Sequence, residues 1–138
     1  MLVDVIWRFI NERDPLWQLK KGLYAYFCPE SHEILYIGKV DGTTVRQRWN
    51  RSAKADFWKD LEDQRGILKH AILVGKIGLP PFKRLTIELL RDIESLLILE
   101  LKPWGNIQSR NSRISRKSFI VNCLGDWPLA RKLFQDVS

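Results

Sequence analysis

The chain has 138 residues, a formal net charge of +7 and a hydrophobic fraction of 45%. This length corresponds to one ordinary domain, and the apolar content excludes a disordered protein. The positive charge favours an anionic partner such as nucleic acid, although a soluble basic surface accounts for it equally well. The N-terminus lacks the apolar core of a signal peptide, and no apolar run is long enough to cross a bilayer.

The two cysteines, Cys28 and Cys123, are too few for a disulfide framework and too isolated for a zinc site. The two histidines, His32 and His70, are likewise unpaired along the sequence. This pattern is typical of a reducing interior, so we expect a cytoplasmic protein without a membrane partner.

The first third of the chain predicts a β-hairpin. Residues 1–20 are expected to form a short helix and an irregular lead-in. Residues 22–27 and 33–38 are rich in aromatic and β-branched residues, and residues 28–32 between them have turn composition. The two runs are therefore expected to pair as antiparallel strands.

Helices are expected to dominate the middle of the chain. Residues 45–51 follow a segment with helix N-cap chemistry at 41–44, which predicts the first of them. The later elements are a helix at 55–64, a strand at 70–77 and a long helix at 83–102 that Pro103 ends.

The tail is expected to hold a basic loop at 108–118, a strand at 119–124 and a short closing helix. The predicted fold class is α+β, with a small three-stranded antiparallel sheet flanked by helices. An extra strand and a short helix are expected at its C-terminus.

Glu94 has an unusual position on the long helix. On a helical wheel it falls within about 60° of five apolar residues, Ile87, Leu90, Leu97, Ile98 and Leu101. An ionised carboxylate on an apolar face is costly unless a cation, donor groups or a proton accompany it. Two interpretations stay open: a buried glutamate satisfied by an arginine or by backbone N–H groups, and a ligand for a hard metal ion.

The hairpin brings two tyrosines together. If the chain turns at residues 28–32, Tyr24 lies opposite Tyr36, and Gly22 lies opposite Gly38. Two phenols then share one face of the sheet, framed by glycines that admit a phosphate or another backbone closely. Ordinary strand tyrosines account for the same pattern.

The helix at 45–51 carries three arginines with different expected roles. Arg48 shares a face with Val45, so its guanidinium is expected against the body of the domain, where it could clamp a phosphate. Arg46 and Arg51 point away from that face and are expected to meet solvent or the DNA backbone. Lys39, directly after Gly38, is expected to reach the same pocket as Arg48.

Five segments, in the family's order and spacing, resemble the GIY-YIG endonuclease family. They are Gly22-Leu23-Tyr24, Tyr36-Ile37-Gly38, Val45-x-x-Arg48, Glu94-x-x-Leu97-Ile98 and Pro103-x-x-Asn106. The resemblance covers residues 22–106 and implies a single domain over 1–138 with the GIY-YIG nuclease fold. Ser52 stands where many relatives carry His or Tyr, which leaves the proton acceptor open.

The resemblance implies a metal-dependent DNA endonuclease that hydrolyses phosphodiester bonds with one Mg²⁺ or Mn²⁺ ion. Glu94 would hold the metal, and Arg48 would stabilise the charge on the phosphate. Tyr24 or Tyr36 would position or activate the water, with Tyr24 favoured as the base, and Lys39 would assist. The structural residues at the site would be Gly22, Gly38 and Asn106.

The basic loop at 108–118 carries Arg110, Arg113, Arg116 and Lys117 and no acidic residue. Beside a nuclease cleft these side chains suit phosphate contacts, although a solvated charge run is the ordinary interpretation. The sequence shows no helix-turn-helix or zinc finger, so specificity is expected to come from loops, from the tail or from a protein partner. Double-strand cleavage would need a homodimer or two encounters, because one cleft cuts one strand. The alternatives to an active enzyme are a module that binds nucleic acid without cutting it and a regulatory subunit.

Overall fold

The computed structural model of the chain describes residues 1–49, 53–67, 69–109 and 119–135. Its strands are β1 (Leu2–Phe9), β2 (Lys21–Cys28), β3 (Glu33–Asp41), β4 (Ala71–Gly78), β5 (Ile120–Gly125) and β6 (Leu133–Gln135). Its helices are α1 (Val45–Trp49), α2 (Ala53–Arg65) and α3 (Ile87–Leu101), with 3-10 helices at Pro15–Gln18 and Trp104–Ser109.

The six strands form one mixed sheet in the order β3-β2-β4-β1-β5-β6. Strands β1 and β5 pair in parallel, and the other neighbours pair antiparallel. The predicted fold class is therefore wrong, because the three expected strands (β2, β3 and β4) form only half of a wider sheet. Strand β1 occupies residues that were predicted as helix and joins that half to β5 and β6.

Alternation of side chains explains why residues 2–9 form a strand. Val3, Val5 and Trp7 are buried, whereas Leu2 and Ile6 on the opposite face are each 48% exposed. A period of two is typical of a strand with one covered face. The expected C-terminal helix is also wrong, since residues 133–135 pair with β5 and bury Phe134.

Each face of the sheet packs against helices through its own hydrophobic cluster. Helix α3 packs on one face through Leu90, Ile93 and Leu97. Helices α1 and α2 contribute Val45 and Leu61 to a cluster on the opposite face, over β2, β3 and β4. Edge strand β3 therefore lies between α3 on one side and α1 with α2 on the other.

Capping fixes the length of α3. The Thr86 side chain accepts a hydrogen bond from the backbone N–H of Leu89, and Lys102 ends the helix in the left-handed conformation directly before Pro103. None of the helices in the described ranges is long and apolar enough to span a membrane.

Candidate active site

The β2–β3 register differs from the predicted one by two residues. Tyr24 lies opposite Gly38, Tyr26 opposite Tyr36 and Gly22 opposite Val40, with a bulge between Tyr26 and Phe27. The predicted pairing of Tyr24 with Tyr36 is therefore wrong. A shift of two residues keeps every side chain on its predicted face, so the rings of Tyr24 and Tyr36 still meet, with centroids 5.9 Å apart.

Gly38 makes room for the Tyr24 ring. A Cβ atom at Gly38 would lie 2.5 Å from the Tyr24 Cζ and hydroxyl oxygen, closer than any real contact. At Gly22, a Cβ would lie 2.7 Å from both the Gly75 carbonyl oxygen and the Leu19 Cδ2. Both glycines thus serve close packing around β2.

Replacing Gly38 by alanine is expected to lower the free energy of unfolding by about 1–3 kcal/mol, because a buried ring must move aside. Urea denaturation measures this change. Gly78→Ala is the matched control, since a Cβ there would meet Asp4 only at 3.7 Å, an ordinary contact. Equal stability of the two variants would contradict the tight contact between Gly38 and Tyr24.

Tyr24 connects the hairpin to α1. Its side chain is 2% exposed and hydrogen-bonds to the side chains of Tyr36 and Arg48. Burial raises the pKa of Tyr24, and the nearby Tyr36 adds to the rise while the Arg48 charge opposes it. The phenol is therefore neutral at physiological pH and suited to donating or accepting a hydrogen bond.

Glu94 faces β3 from α3. Its side chain is 15% exposed, and its Oε1 lies 3.5 Å from the Lys39 Nζ. Burial raises the pKa of Glu94, and the positive charges of Lys39 and then Arg48 oppose this rise. Ile87, one of its wheel neighbours, is 50% exposed, so Glu94 lies at the flank of the apolar face rather than in its middle.

The Lys39 ammonium group is expected to stabilise the fold through Glu94. Because burial raises the pKa of Glu94, the ionised carboxylate destabilises the folded state at neutral pH, and protonation removes this cost. Lys39→Met is therefore expected to lower the free energy of unfolding by about 1 kcal/mol at neutral pH and by less below about pH 4.

A Glu94→Gln background provides the control for this prediction, because it removes the charge that Lys39 compensates. Chemical denaturation of the two single variants and the double variant gives the coupling energy. If Lys39→Met lowers the free energy of unfolding equally in the wild-type and Glu94→Gln proteins, at neutral pH and below about pH 4, the role of the ion pair would be contradicted.

Asn106 ties the segment after α3 to the centre of β3. Its Oδ1 accepts a hydrogen bond from the Ile37 backbone N–H at 2.8 Å, and its Nδ2 donates to the Ile37 carbonyl oxygen at 2.9 Å. Asn106 is 6% exposed, so both bonds are shielded from water. They hold the strand segment between Tyr36 and Gly38 against the chain that follows Glu94.

Arg46 does not point freely into solvent. Its guanidinium carbon lies 4.6 Å from the centre of the Trp17 ring, and its Nη2 donates to the Glu12 carbonyl oxygen at 2.9 Å. It thus packs on the first 3-10 helix. The other residues predicted to contact nucleic acid, Arg51, Arg110, Arg113, Arg116 and Lys117, lie outside the described residues, as does Ser52.

A divalent ion would find few protein ligands here. No group of three or more His, Cys, Asp or Glu side chains is arranged to hold a metal within the ranges that the structure describes. Mg²⁺ commonly binds through one or two carboxylates, keeps several waters and takes further oxygens from substrate phosphates. The carboxylate of Glu94, which is partly open to solvent and lies near Arg48, fits that donor set.

An aromatic cluster behind the two tyrosines was not predicted. Tyr26 stacks on Tyr36 at 5.3 Å and touches the rings of Trp49 and Trp58 at 5.1 and 4.8 Å. The available signal was the spacing of Tyr26, which lies two residues after Tyr24 and so on the same face of the strand. This cluster packs α1 and α2 against β2 and thereby positions Arg48.

Comparison with known proteins identifies no relative: no protein-family model, curated protein or solved structure matches the chain.

Proposed function

We propose that the protein is a metal-dependent DNA endonuclease of the GIY-YIG type that hydrolyses phosphodiester bonds. The observation that carries the proposal is the contact of the Tyr24 hydroxyl with both Tyr36 and Arg48. The Arg48 charge also acts on Glu94, which pairs with Lys39 on the other face of β3. Three of these residues come from one hairpin and two from helices that are distant in sequence. They reach edge strand β3 from its two faces, and the Arg48 charge acts on both Tyr24 and Glu94, which supports a common task.

Arg48 is the phosphate-binding residue in this proposal. Its guanidinium presents several N–H donors in a fixed fork that matches a phosphate, and its charge offsets the negative charge that develops during hydrolysis. The Tyr24 hydroxyl restrains the guanidinium from one side. This restraint holds Arg48 in place before the DNA arrives, which is what electrostatic stabilisation of a transition state requires.

The two tyrosines orient the attacking water and accept its proton. Hydrolysis joins the water oxygen to phosphorus, breaks the bond to the 3′ oxygen and transfers a proton from the water. Because burial raises the pKa of Tyr24, its phenol is better suited to orienting the water than to accepting that proton. We therefore assign the orienting role to Tyr24 and acceptance of the water proton to the half-buried Tyr36 in its phenolate form, which exchanges the roles expected from the resemblance. The leaving 3′ oxygen takes up a proton from solvent.

Glu94 is the residue that would hold one Mg²⁺ or Mn²⁺ ion, with Lys39 keeping its carboxylate ionised. Such an ion, when bound, would stabilise the negative charge on the phosphate and on the leaving 3′ oxygen. Loss of the carboxylate charge at low pH would weaken metal binding, so cleavage is expected to decline toward acidic pH.

One observation favours a second function, a module that binds nucleic acid without cutting it. The ion pair with Lys39 gives Glu94 a cation, so the burial of this carboxylate does not by itself require a metal. In that function, Arg48 and Lys39 would bind DNA phosphates, and Glu94 would only position Lys39.

Incubation of supercoiled plasmid with the purified protein separates the two functions. The endonuclease proposal predicts nicked or linear plasmid in Mg²⁺ or Mn²⁺ and intact plasmid in EDTA. Retarded but uncut plasmid under all metal conditions would overturn the endonuclease proposal and favour the binding module.

A further inference from the structure

A pocket lies near the candidate active site. It has a volume of about 680 Å³ and is bounded by the end of β1, the first 3-10 helix, α1 and the start of β4. The lining residues that matter here are Phe9, Glu12, Trp17, Arg46, Trp49 and His70. This size falls within the range of pockets that bind small organic ligands.

Aromatic rings form much of the pocket wall. Phe9 is 39% exposed, and Trp49 and His70 are half-buried, so all three rings retain accessible surface. His70 stacks on Trp58 with centroids 3.9 Å apart and planes at 15°, which holds its ring in place. Fixed aromatic surfaces bind flat heterocycles by stacking at little cost in side-chain entropy.

The charged groups of the pocket suit a base rather than a phosphate. Arg46 lies over the Trp17 ring and donates to the backbone of Glu12, while the Glu12 side chain is exposed. A phosphate site gathers cations, whereas the described residues that line this pocket include one guanidinium and one carboxylate. A carboxylate accepts hydrogen bonds from the amino groups of bases, and the guanidinium can bind a neighbouring phosphate.

The pocket is close enough to the candidate active site for one DNA strand to contact both. The Tyr26 ring lies 5.3 Å from Tyr36 and 5.1 Å from Trp49, so the Tyr36 and Trp49 rings are within about 10 Å of each other. Stacked nucleotides of one strand are roughly 3.4 Å apart along the axis. The pocket-lining residues Arg46 and Trp49 also share the short helix α1 with Arg48, so a base in the pocket and a phosphate at Arg48 can belong to nearby nucleotides of one strand.

We propose that this pocket takes one unpaired nucleobase of a DNA strand whose phosphate lies at Arg48. The inference rests on the proposed function and names its substrate class: single-stranded DNA, or duplex DNA with an unpaired base near the cleaved bond. A paired base is covered on both faces by its neighbours, so an intact duplex must first unstack a base, which is unfavourable.

Fluorescence anisotropy with labelled oligonucleotides in EDTA tests this proposal without cleavage. We expect the wild-type protein to bind single-stranded DNA more tightly than a duplex of equal length. Phe9→Ala is expected to weaken single-strand binding by about tenfold and to change duplex binding by less than about twofold. Phe82→Ala is the matched control, because Phe82 is fully exposed and does not line the pocket.

Photo-cross-linking adds a readout that does not depend on the stability of a variant. Single-stranded DNA containing 5-iodouracil is expected to cross-link the wild-type protein at Phe9, Trp49 or His70. Plasmid cleavage with equal affinity for single strands and duplex, unaffected by Phe9→Ala, would overturn the pocket proposal alone. Single-strand binding through the pocket without any plasmid cleavage would support the pocket and overturn the endonuclease, and failure to bind any DNA would overturn both.

Discussion

Replacement of Arg48 by lysine is expected to reduce the rate of DNA cleavage by about 10²- to 10³-fold. Lysine keeps the positive charge but loses the planar fork that binds two phosphate oxygens at once. It also cannot reproduce the contact that positions the guanidinium against the Tyr24 hydroxyl. Single-turnover cleavage of a labelled oligonucleotide measures the chemical step separately from product release.

Arg91→Lys is the matched control for this prediction. Arg91 is exposed and lies on α3, the helix that carries Glu94. Its replacement is expected to change the cleavage rate by less than about threefold, as for a surface charge that meets neither substrate nor site. Cleavage by Arg48→Lys at the wild-type rate would show that Arg48 does not bind the reacting phosphate.

Replacement of Asn106 by leucine is expected to lower the free energy of unfolding by roughly 3 kcal/mol. Leucine has a similar shape but leaves the N–H and the carbonyl oxygen of Ile37 buried without their amide partner. An unsatisfied buried backbone group costs about 1–3 kcal/mol, and two such groups are affected here. Urea denaturation monitored by tryptophan fluorescence measures the loss.

Asn122→Leu provides the comparison on β5. Asn122 is half-buried, and its one described side-chain bond is a long contact of 3.5 Å to Asp4. We expect its replacement to change the free energy of unfolding by less than about 1 kcal/mol. A loss at Asn106 no larger than the loss at Asn122 would contradict the structural role of the Ile37 bonds.

The sequence predicted the elements whose signals are local. The hairpin, α1, α2, β4, α3 and β5 appear within a few residues of their expected bounds. Strand β1 was missed although Val3, Val5 and Trp7 alternate with residues on the opposite face. Strand β1 pairs with β4 and β5, which lie more than 60 residues later in the chain. Its strand conformation is therefore stabilised by contacts between distant segments, which local sequence patterns do not report.

The C-terminal end shows the same effect of long-range pairing. Residues 129–134 have helix-forming composition, yet Leu133 pairs with Asn122 in the sheet and the Phe134 side chain is buried in the core.

The register of the β2–β3 hairpin depends on a bulge between Tyr26 and Phe27, and no residue type in the turn predicts this bulge.

Helix periodicity, which acts over short distances, predicts that Arg48 faces the domain and that Glu94 lies among apolar residues. In the structure Arg48 reaches Tyr24, whereas Glu94 lies at the flank of the apolar face. The pairing of Lys39 with Glu94 did not follow from periodicity, because it joins a strand to a helix 55 residues later. The raised pKa of Tyr24 depends on burial by the whole aromatic cluster and likewise required the three-dimensional structure.

The most direct test of the account is the single-turnover rate of DNA cleavage in Mg²⁺ and Mn²⁺ by the Glu94→Gln variant. Glutamine keeps the size of the side chain and removes the charge that would hold the metal. Glu100→Gln, which alters an exposed carboxylate on the same helix, is the control. The account predicts that Glu94→Gln loses at least about 100-fold in rate while Glu100→Gln stays near wild type. Equal, metal-dependent cleavage by wild type and Glu94→Gln would contradict it.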